Sequence, residues 1–176
     1  MESLAMIDRW LHLVASVMWI GLLYYFNFVQ VPAMAAATAD KEGPGPAAIG
    51  KYVAPRALFW FRWAALVTWL TGAYYLMAST TYSAVGGIVG AFTLGMGKHV
   101  LGLTAIGIGA WLGTIMLFNV WVLIWPNQQK ILGMVPATDA EKAKSRRVAF
   151  LASRTNTLLS IPMLMFMQAG AHGIPF

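Results

Sequence analysis

Residues 10–31 read WLHLVASVMWIGLLYYFNFVQV and contain no Asp, Glu, Lys or Arg. A helix needs about 20 predominantly apolar residues to cross the hydrocarbon core of a bilayer, which is about 30 Å thick. The run is too long for a signal peptide, and no small-residue cleavage pattern follows a basic start. We therefore expect these residues to form a retained membrane-spanning helix.

The composition of the whole chain agrees with this expectation. Of its 176 residues, 59% are apolar and 10% are charged, whereas an ordinary soluble domain has about 25% charged residues. The net charge is +6, and the charged residues lie in the gaps between apolar runs. Nucleic acid is therefore not an expected partner. Because the chain has no cysteine, a metal site would depend on His, Met, carboxylates or a cofactor.

The apolar runs predict an all-α integral membrane protein with one domain over residues 1–176, an up-down four-transmembrane-helix bundle. The predicted helices cover about 4–38, 57–78, 99–125 and 139–168. The glycine-rich stretch 79–97 is expected to be a re-entrant or surface-lying connection. Thr138 and Glu141 have the spacing of a capping box, which predicts the start of the fourth helix.

The basic residues predict the orientation of the bundle. Loops one and three carry eight of them, namely Lys41, Lys51, Arg56, Lys130, Lys142, Lys144, Arg146 and Arg147. The opposite side carries two, Arg9 and Lys98. Short cytoplasmic loops concentrate Lys and Arg, so both termini are expected outside a bacterial inner membrane.

The three histidines of the chain are expected to lie in the same leaflet. His12 is near the start of helix one, His99 starts helix three, and His172 follows the end of helix four. In an up-down bundle, odd helices start and even helices end on one side. The three imidazoles therefore come together in the outer leaflet, where a single histidine would be interpreted as an interfacial hydrogen-bonding residue.

The predicted third helix has a face that is almost bare of side chains. Residues His99, Gly102, Ile106, Gly109 and Gly113 are spaced by three and four, which places them on one side of a helix. One interpretation is close helix–helix packing through small residues. The other is a porphyrin lying against glycines, with a histidine on its iron.

Helix one has a comparable face, formed by His12, Ala15, Ser16 and Trp19. We expect His12 and His99 to be the axial ligands of one haem b, with Gly102, Gly109, Trp19 and His172 around it. His172 or Lys98 would then lie near the propionates. At 1.5 Å per residue, His12 and His99 reach similar depths only if helix one continues through Pro32.

A second polar set is predicted in the inner half of the membrane. It comprises Asn27, Gln30, Asn119, Arg154, Asn156 and Ser160. Polar groups at such depth usually pair across helices. We expect a hydrogen-bonded clasp in which the amides neutralise Arg154, in preference to a proton path.

Several short motifs resemble a known family. They are Trp10-Leu11-His12 with Trp19-Ile20-Gly21, Phe118-Asn119-Val120-Trp121 running into Ile124-Trp125-Pro126-Asn127-Gln128, and Ser153-Arg154-Thr155-Asn156-Thr157 leading to Pro162. These motifs resemble the membrane domain of the cytochrome-fused bacterial urate oxidases, the urate oxidase N-terminal domain family. The chain looks like a short stand-alone member without a cytochrome c domain, and Thr155 stands where we would expect a histidine.

The resemblance implies a membrane domain that delivers electrons to a cytochrome c on the outer side. The first-helix pattern also looks, more weakly, like small bacterial haem b proteins of the protoporphyrinogen-oxidase type. We therefore expect a haem b electron-transfer subunit whose partners are other membrane subunits or a periplasmic cytochrome c. Two alternatives stay open: a non-catalytic accessory subunit of a membrane complex, and a urate oxidase-like oxidoreductase.

Overall fold

The computed structural model describes residues 2–96 and 101–172. Over these residues the chain is all-helical, with 87% of them in helices and no strand. Four long helical stretches make up the body of the molecule, and two short helices lie between the second and the third stretch.

The first long stretch runs without a break through three elements. Helix α1 covers Glu2–Tyr24, a π-helical segment covers Tyr25–Gln30, and α2 covers Val31–Ala39. Pro32 lies in the first turn of α2, where its missing N–H costs little. The π-helical segment just before it absorbs the change in the hydrogen-bond ladder. The first helix therefore continues through Pro32, which is the condition that a haem held by both His12 and His99 would require.

The second stretch is α3, Ala54–Ala78, which follows a π-helical segment at Ile49–Val53. Two short helices come next, α4 at Thr80–Ser83 and α5 at Gly87–Phe92. They occupy most of the predicted connection 79–97, whose last residue lies outside the described part of the chain.

The turn between α4 and α5 depends on glycine. Gly86 and Gly87 have φ angles of 113° and 57°, a left-handed region that other residues rarely adopt. Tyr82 and Ala91 are buried against Leu76 of α3 and Leu103 of the next long helix. The connection is thus packed onto the bundle.

The third stretch comprises α6 at Leu101–Phe118, a π-helical segment at Asn119–Ile124 and α7 at Trp125–Ile131. The fourth is α8, Asp139–His172, which contains Pro162. Thr138 and Glu141 form the predicted capping box at its start. The Thr138 N–H donates to Glu141 Oε2 at 2.7 Å, and the Glu141 N–H donates to Thr138 Oγ1 at 3.3 Å.

The long helices pack as two pairs. Helix α1 packs along α3, and α6 packs along α8, with smaller contacts between α1 and α8 and between α3 and α6. The main core lies where the pairs meet and includes Trp19, Leu23, Phe61, Met116 and Val120. Since α1 and α6 are joined through the other two helices, they lie diagonally across the bundle, as expected for the first and third long helices.

Part of the predicted inner polar set pairs across helices. Asn27 donates to Ser153 Oγ at 2.8 Å, and Asn119 donates to Asn156 Oδ1 at 2.7 Å. Asn156 has no exposed surface and donates in turn to the Met116 carbonyl at 3.0 Å. These bonds link α8 to the π-helical segments of the first and third stretches.

The predicted clasp around Arg154 is wrong. Arg154 is exposed, and its guanidinium lies 4.8 Å from the centre of the Phe150 ring on the same helix. Asn27 pairs with Ser153 and Asn119 pairs with Asn156, without Arg154, while the buried Oε1 of Gln30 has no partner among the described residues. The physical reason is the helical period, since Arg154 and Asn156 are two residues apart and point to different faces of α8.

Two of the helical stretches are long and apolar enough to cross a membrane, namely Ser3–Ala39 and Leu101–Ile131. Within the described residues, α3 and α8 do not meet that measure. Arg56 and Arg62 lie in α3, and the first turns of α8 are rich in charge. Arg62 stacks 3.7 Å from the centre of the Trp125 ring, which ties α3 to α7.

Candidate functional site

A cavity of about 790 Å³ lies among α1, α3, α6 and α8, with residues of α4 and α5 on one side. This volume is within the range of about 300–1,000 Å³ that is usual for sites of small molecules and cofactors. His12 and His172 both line it, and so do Trp19 and Gly113. The prediction that His12 and His172 lie at the same end of the bundle is consistent with this placement.

His12 is held in one orientation by α3. Its Nδ1 lies 2.8 Å from the Thr68 carbonyl oxygen and 3.3 Å from Thr71 Oγ1. A carbonyl oxygen only accepts hydrogen bonds, so Nδ1 carries the proton and the Nε2 of the neutral ring keeps its lone pair. Histidine ligands of metals are commonly oriented in this way, by a backbone carbonyl on the other ring nitrogen.

Gly72 makes room for the His12 ring. A Cβ atom built on Gly72 would lie 2.9 Å from His12 Cε1 and 3.1 Å from His12 Nδ1. Carbon atoms in favourable contact are about 3.5–4.0 Å apart. Thr68, Thr71 and Gly72 thus form a fitted seat for the imidazole on α3, with two hydrogen-bond acceptors and no side chain in the way.

Trp19 provides a buried donor without an acceptor. Its side chain is 2% exposed and lines the cavity, and its indole N–H has no hydrogen-bond partner among the described residues. A buried unsatisfied donor costs about 1–3 kcal/mol. By contrast, the Trp69 indole donates to Thr114 Oγ1 at 2.8 Å. The indole nitrogen itself has almost no accessible surface, so the Trp19 N–H is an unpaired donor inside the packed wall of the cavity.

Of the other two predicted histidines, one lies within the described residues and one does not. His172 is the last residue of α8, is exposed, and lines the cavity. His99, predicted as the second axial ligand, lies outside the described residues, as does Lys98. Among residues 2–96 and 101–172, no group of three or more His, Cys, Asp or Glu side chains is placed to hold a metal ion.

The predicted glycine face of helix three is divided between two roles. A Cβ on Gly102 would lie 3.3 Å from the Gly170 carbonyl oxygen, and one on Gly109 would lie 3.1 Å from Met167 Cγ. These two glycines therefore allow α6 and α8 to approach closely, which is the packing interpretation of the pattern. Gly113 lines the cavity and has open space where a side chain would begin.

Polar side chains lie toward one end of the cavity, near the start of α1 and the end of α8. Arg9, Gln168 and Tyr82 line it there together with His172. Tyr82 donates from its hydroxyl to the Gly170 carbonyl at 3.1 Å, which joins α4 to the end of α8. The cavity therefore has a cationic guanidinium and amide groups at one end and mostly apolar walls elsewhere.

Sequence reasoning identified His12, Trp19 and His172 in this wall but missed Thr68 and Gly72. A signal for both was present in the sequence. Thr71 and Gly72 come three and four residues after Thr68, so the three form a face of small residues on a predicted helix. Such a face opposite a histidine predicts a seat for the imidazole.

Comparisons with known proteins place the chain in a family. No curated protein and no solved structure matches the chain significantly. The family model described as "Urate oxidase N-terminal" matches residues 83–176, which include α6, α8 and the helices between them. The matched part is more than half of the chain and contains the motifs on α8 and around Asn119 that suggested the resemblance. The chain therefore belongs to the urate oxidase N-terminal family.

Proposed function

We propose that this chain is a multi-pass subunit of the bacterial inner membrane that binds haem b in its cavity and transfers electrons at the outer face of the membrane. The observation that carries the proposal is His12. Its ring is fixed by the Thr68 carbonyl on Nδ1, so the lone pair of Nε2 remains for a metal, and it stands at the wall of a cavity of cofactor size.

The membrane part of the proposal is supported by the exposed surface. Large apolar side chains are exposed along the outward faces of the long helices, far beyond the scattered cases of a soluble protein. On α8 they include Leu151, Leu158, Ile161, Leu164 and Met165. Since α8 carries this surface as well, we propose that all four long stretches cross the bilayer in up-down order, although only two pass the length and hydropathy measure alone.

The orientation follows from the charges. Eight basic residues lie at one end and two at the other, so the end rich in Lys and Arg lies in the cytoplasm and both termini lie outside. The cavity, with His12 and His172, then lies in the outer half of the membrane. A periplasmic cytochrome c or another subunit of a larger complex would meet it there.

The residues of the cavity fit a haem in two respects. His12 offers an imidazole nitrogen in a fixed orientation, and Arg9 offers a cation for carboxylates at the outer end. His99, which lies outside the described residues, would provide a second imidazole nitrogen for the iron, and His172 would lie near the propionates. Bound haem b would supply a one-electron couple whose potential depends on its protein ligands and on burial.

Other residues of the chain orient His12 and keep water out of the cavity. Thr68 and Thr71 hold the His12 proton on Nδ1, which prevents the ring from turning away from the cavity. Apolar residues of the wall, such as Ile106 and Met163, exclude water from the cavity.

A second candidate function is that of a non-catalytic accessory subunit. It is favoured by a shallow apolar groove on the α1 and α3 surface, lined by Val17, Met18, Gly21, Leu22 and Trp60. A Cβ on Gly21 would meet nothing within 4 Å, so Gly21 leaves room there for a neighbouring helix. An accessory subunit would need this groove and would not need a free imidazole nitrogen.

The visible spectrum of the purified protein distinguishes these candidates. We expect haem b to copurify, with sharp reduced bands of a six-coordinate low-spin iron. His12→Ala should abolish these bands while the helices still insert, and His172→Ala should be milder because this residue is at the end of α8. A protein that stays colourless after expression with added haem precursor would contradict haem binding and favour the accessory subunit.

A further inference from the structure

We propose that the cavity opens sideways into the bilayer through a gap between α1 and α8, and that its occupant enters from the lipid phase. The proposal rests on the proposed function in two respects, the membrane location and haem b as the occupant. It concerns a path that the sequence motifs and the family match do not address.

The rim of the cavity lies on these two helices. A side chain that lines a cavity and is also exposed marks the place where that cavity reaches the surface. Large apolar side chains of this kind are Met6, Trp10 and Leu13 on α1, which are 69%, 64% and 61% exposed, and Leu164 on α8, which is 42% exposed. The opening is therefore bordered by apolar side chains.

The spacing of the rim residues shows a continuous gap. Met6, Trp10 and Leu13 are spaced by four and three, so they share one face of α1. Leu164 and His172 lie eight residues apart on α8, with Gln168 midway between them, and all three line the cavity. Helices α1 and α8 have few contacts with each other, whereas the equally sparse seam between α3 and α6 is bridged by α5. The space between α1 and α8 forms the opening.

The polarity of the gap changes along its length. Arg9, Gln168 and His172 lie at the outer end, whereas Leu13 and Leu164 lie further into the membrane. An occupant that matches this gradient has an apolar ring system and an anionic edge. Haem b, with its two propionates, has both properties, and the carboxylates would remain beside Arg9 while the macrocycle moves in from the lipid.

The chain has no cysteine, so single cysteines can report on the gap. Nitroxide labels on Leu13→Cys and Leu164→Cys should collide more often with oxygen, which is lipid-soluble, than with a nickel chelate, which stays in water. The measurement is made in vesicles and needs no haem. More frequent collision with the nickel chelate at both positions would overturn the proposal, because the gap would then open to water.

Blocking the gap provides the second test. A bulky maleimide on either cysteine should slow the uptake of hemin from preloaded vesicles by about tenfold or more. Ile161→Cys is the matched control, because Ile161 is 64% exposed on α8 but does not line the cavity, and its modification should leave uptake unchanged. Equal uptake in all three modified proteins would overturn the lateral path. Failure of the unmodified protein to bind hemin would instead refute the proposed function, and the collision measurement would still decide where the gap opens.

Discussion

Replacing Gly72 with alanine tests the seat of His12 directly. The new Cβ would lie 2.9 Å from His12 Cε1, at least about 0.6 Å closer than a favourable carbon contact. The backbone of α3 is held in the bundle, so the imidazole must move. Moving the ring stretches or breaks its 2.8 Å hydrogen bond to the Thr68 carbonyl.

The expected loss of stability can be estimated from these contacts. Overpacking of a well-filled site costs about 1–3 kcal/mol, and a lost hydrogen bond costs about 0.5–1.5 kcal/mol. Alanine recovers about 1 kcal/mol because it favours the helix more than glycine does. We therefore expect Gly72→Ala to lower the free energy of unfolding by about 0.5–3.5 kcal/mol. Haem affinity should fall by about tenfold or more, since a loss of 1.4 kcal/mol in binding corresponds to tenfold.

Thermal unfolding in detergent and a hemin titration measure the two effects. Gly21→Ala is the matched control, because a Cβ on Gly21 meets nothing within 4 Å and Gly21 is also inside a long helix. The control should be as stable as the wild type or slightly more stable, with unchanged haem affinity. If Gly72→Ala behaved like Gly21→Ala in both assays, the fitted seat for His12 would be refuted.

Three further predictions concern other parts of the molecule. Asn156→Ala should destabilise the protein by about 1–3 kcal/mol in thermal unfolding, because it leaves the buried Asn119 and Met116 partners without a hydrogen bond. Arg154→Met, at an exposed position, should stay within about 0.5 kcal/mol of the wild type. Equal losses would restore a structural role for Arg154. Trp19→Phe removes a buried donor without a partner but leaves a small cavity in the main core, so thermal unfolding should show a loss of stability of no more than about 1–3 kcal/mol; a larger loss would show that the indole N–H has a partner. The pKa of Glu141 lies below its ordinary value of 4.5, because the backbone N–H and the hydroxyl of Thr138 donate hydrogen bonds to its carboxylate. The cap is therefore intact above pH 4.5 and is lost as the pH falls through the lowered pKa. A carboxyl titration followed by NMR should show this loss, and Thr138→Ala should bring the pKa of Glu141 back toward 4.5.

The parts of the fold that were predictable are those fixed by local rules. Apolar runs and their flanking charges identified the four long helices, and the Thr138 and Glu141 spacing identified the start of α8. The need for a long first helix followed from counting residues along the bilayer. These features depend on neighbours in sequence, so a single sequence contains them.

The errors arose where the direction of a side chain decides the outcome. Arg154 was grouped with Asn156 by depth, but depth does not say which face of α8 a residue occupies. Gly102 and Gly109 carry the pattern of both a porphyrin surface and a helix contact, and only the position of Met167 and Gly170 on α8 distinguishes these. The seat of His12 was missed for the same reason, because α1 and α3 meet only in the folded chain.

The central claim is that the imidazole of His12 is a ligand of haem iron. His12→Gly removes the ring and leaves a space bordered by Gly72, so free imidazole should be able to occupy it. The account predicts that the variant loses the low-spin absorption bands and regains them on addition of imidazole, while the wild-type spectrum does not change. A His12→Gly protein that keeps the low-spin bands without imidazole would contradict the claim.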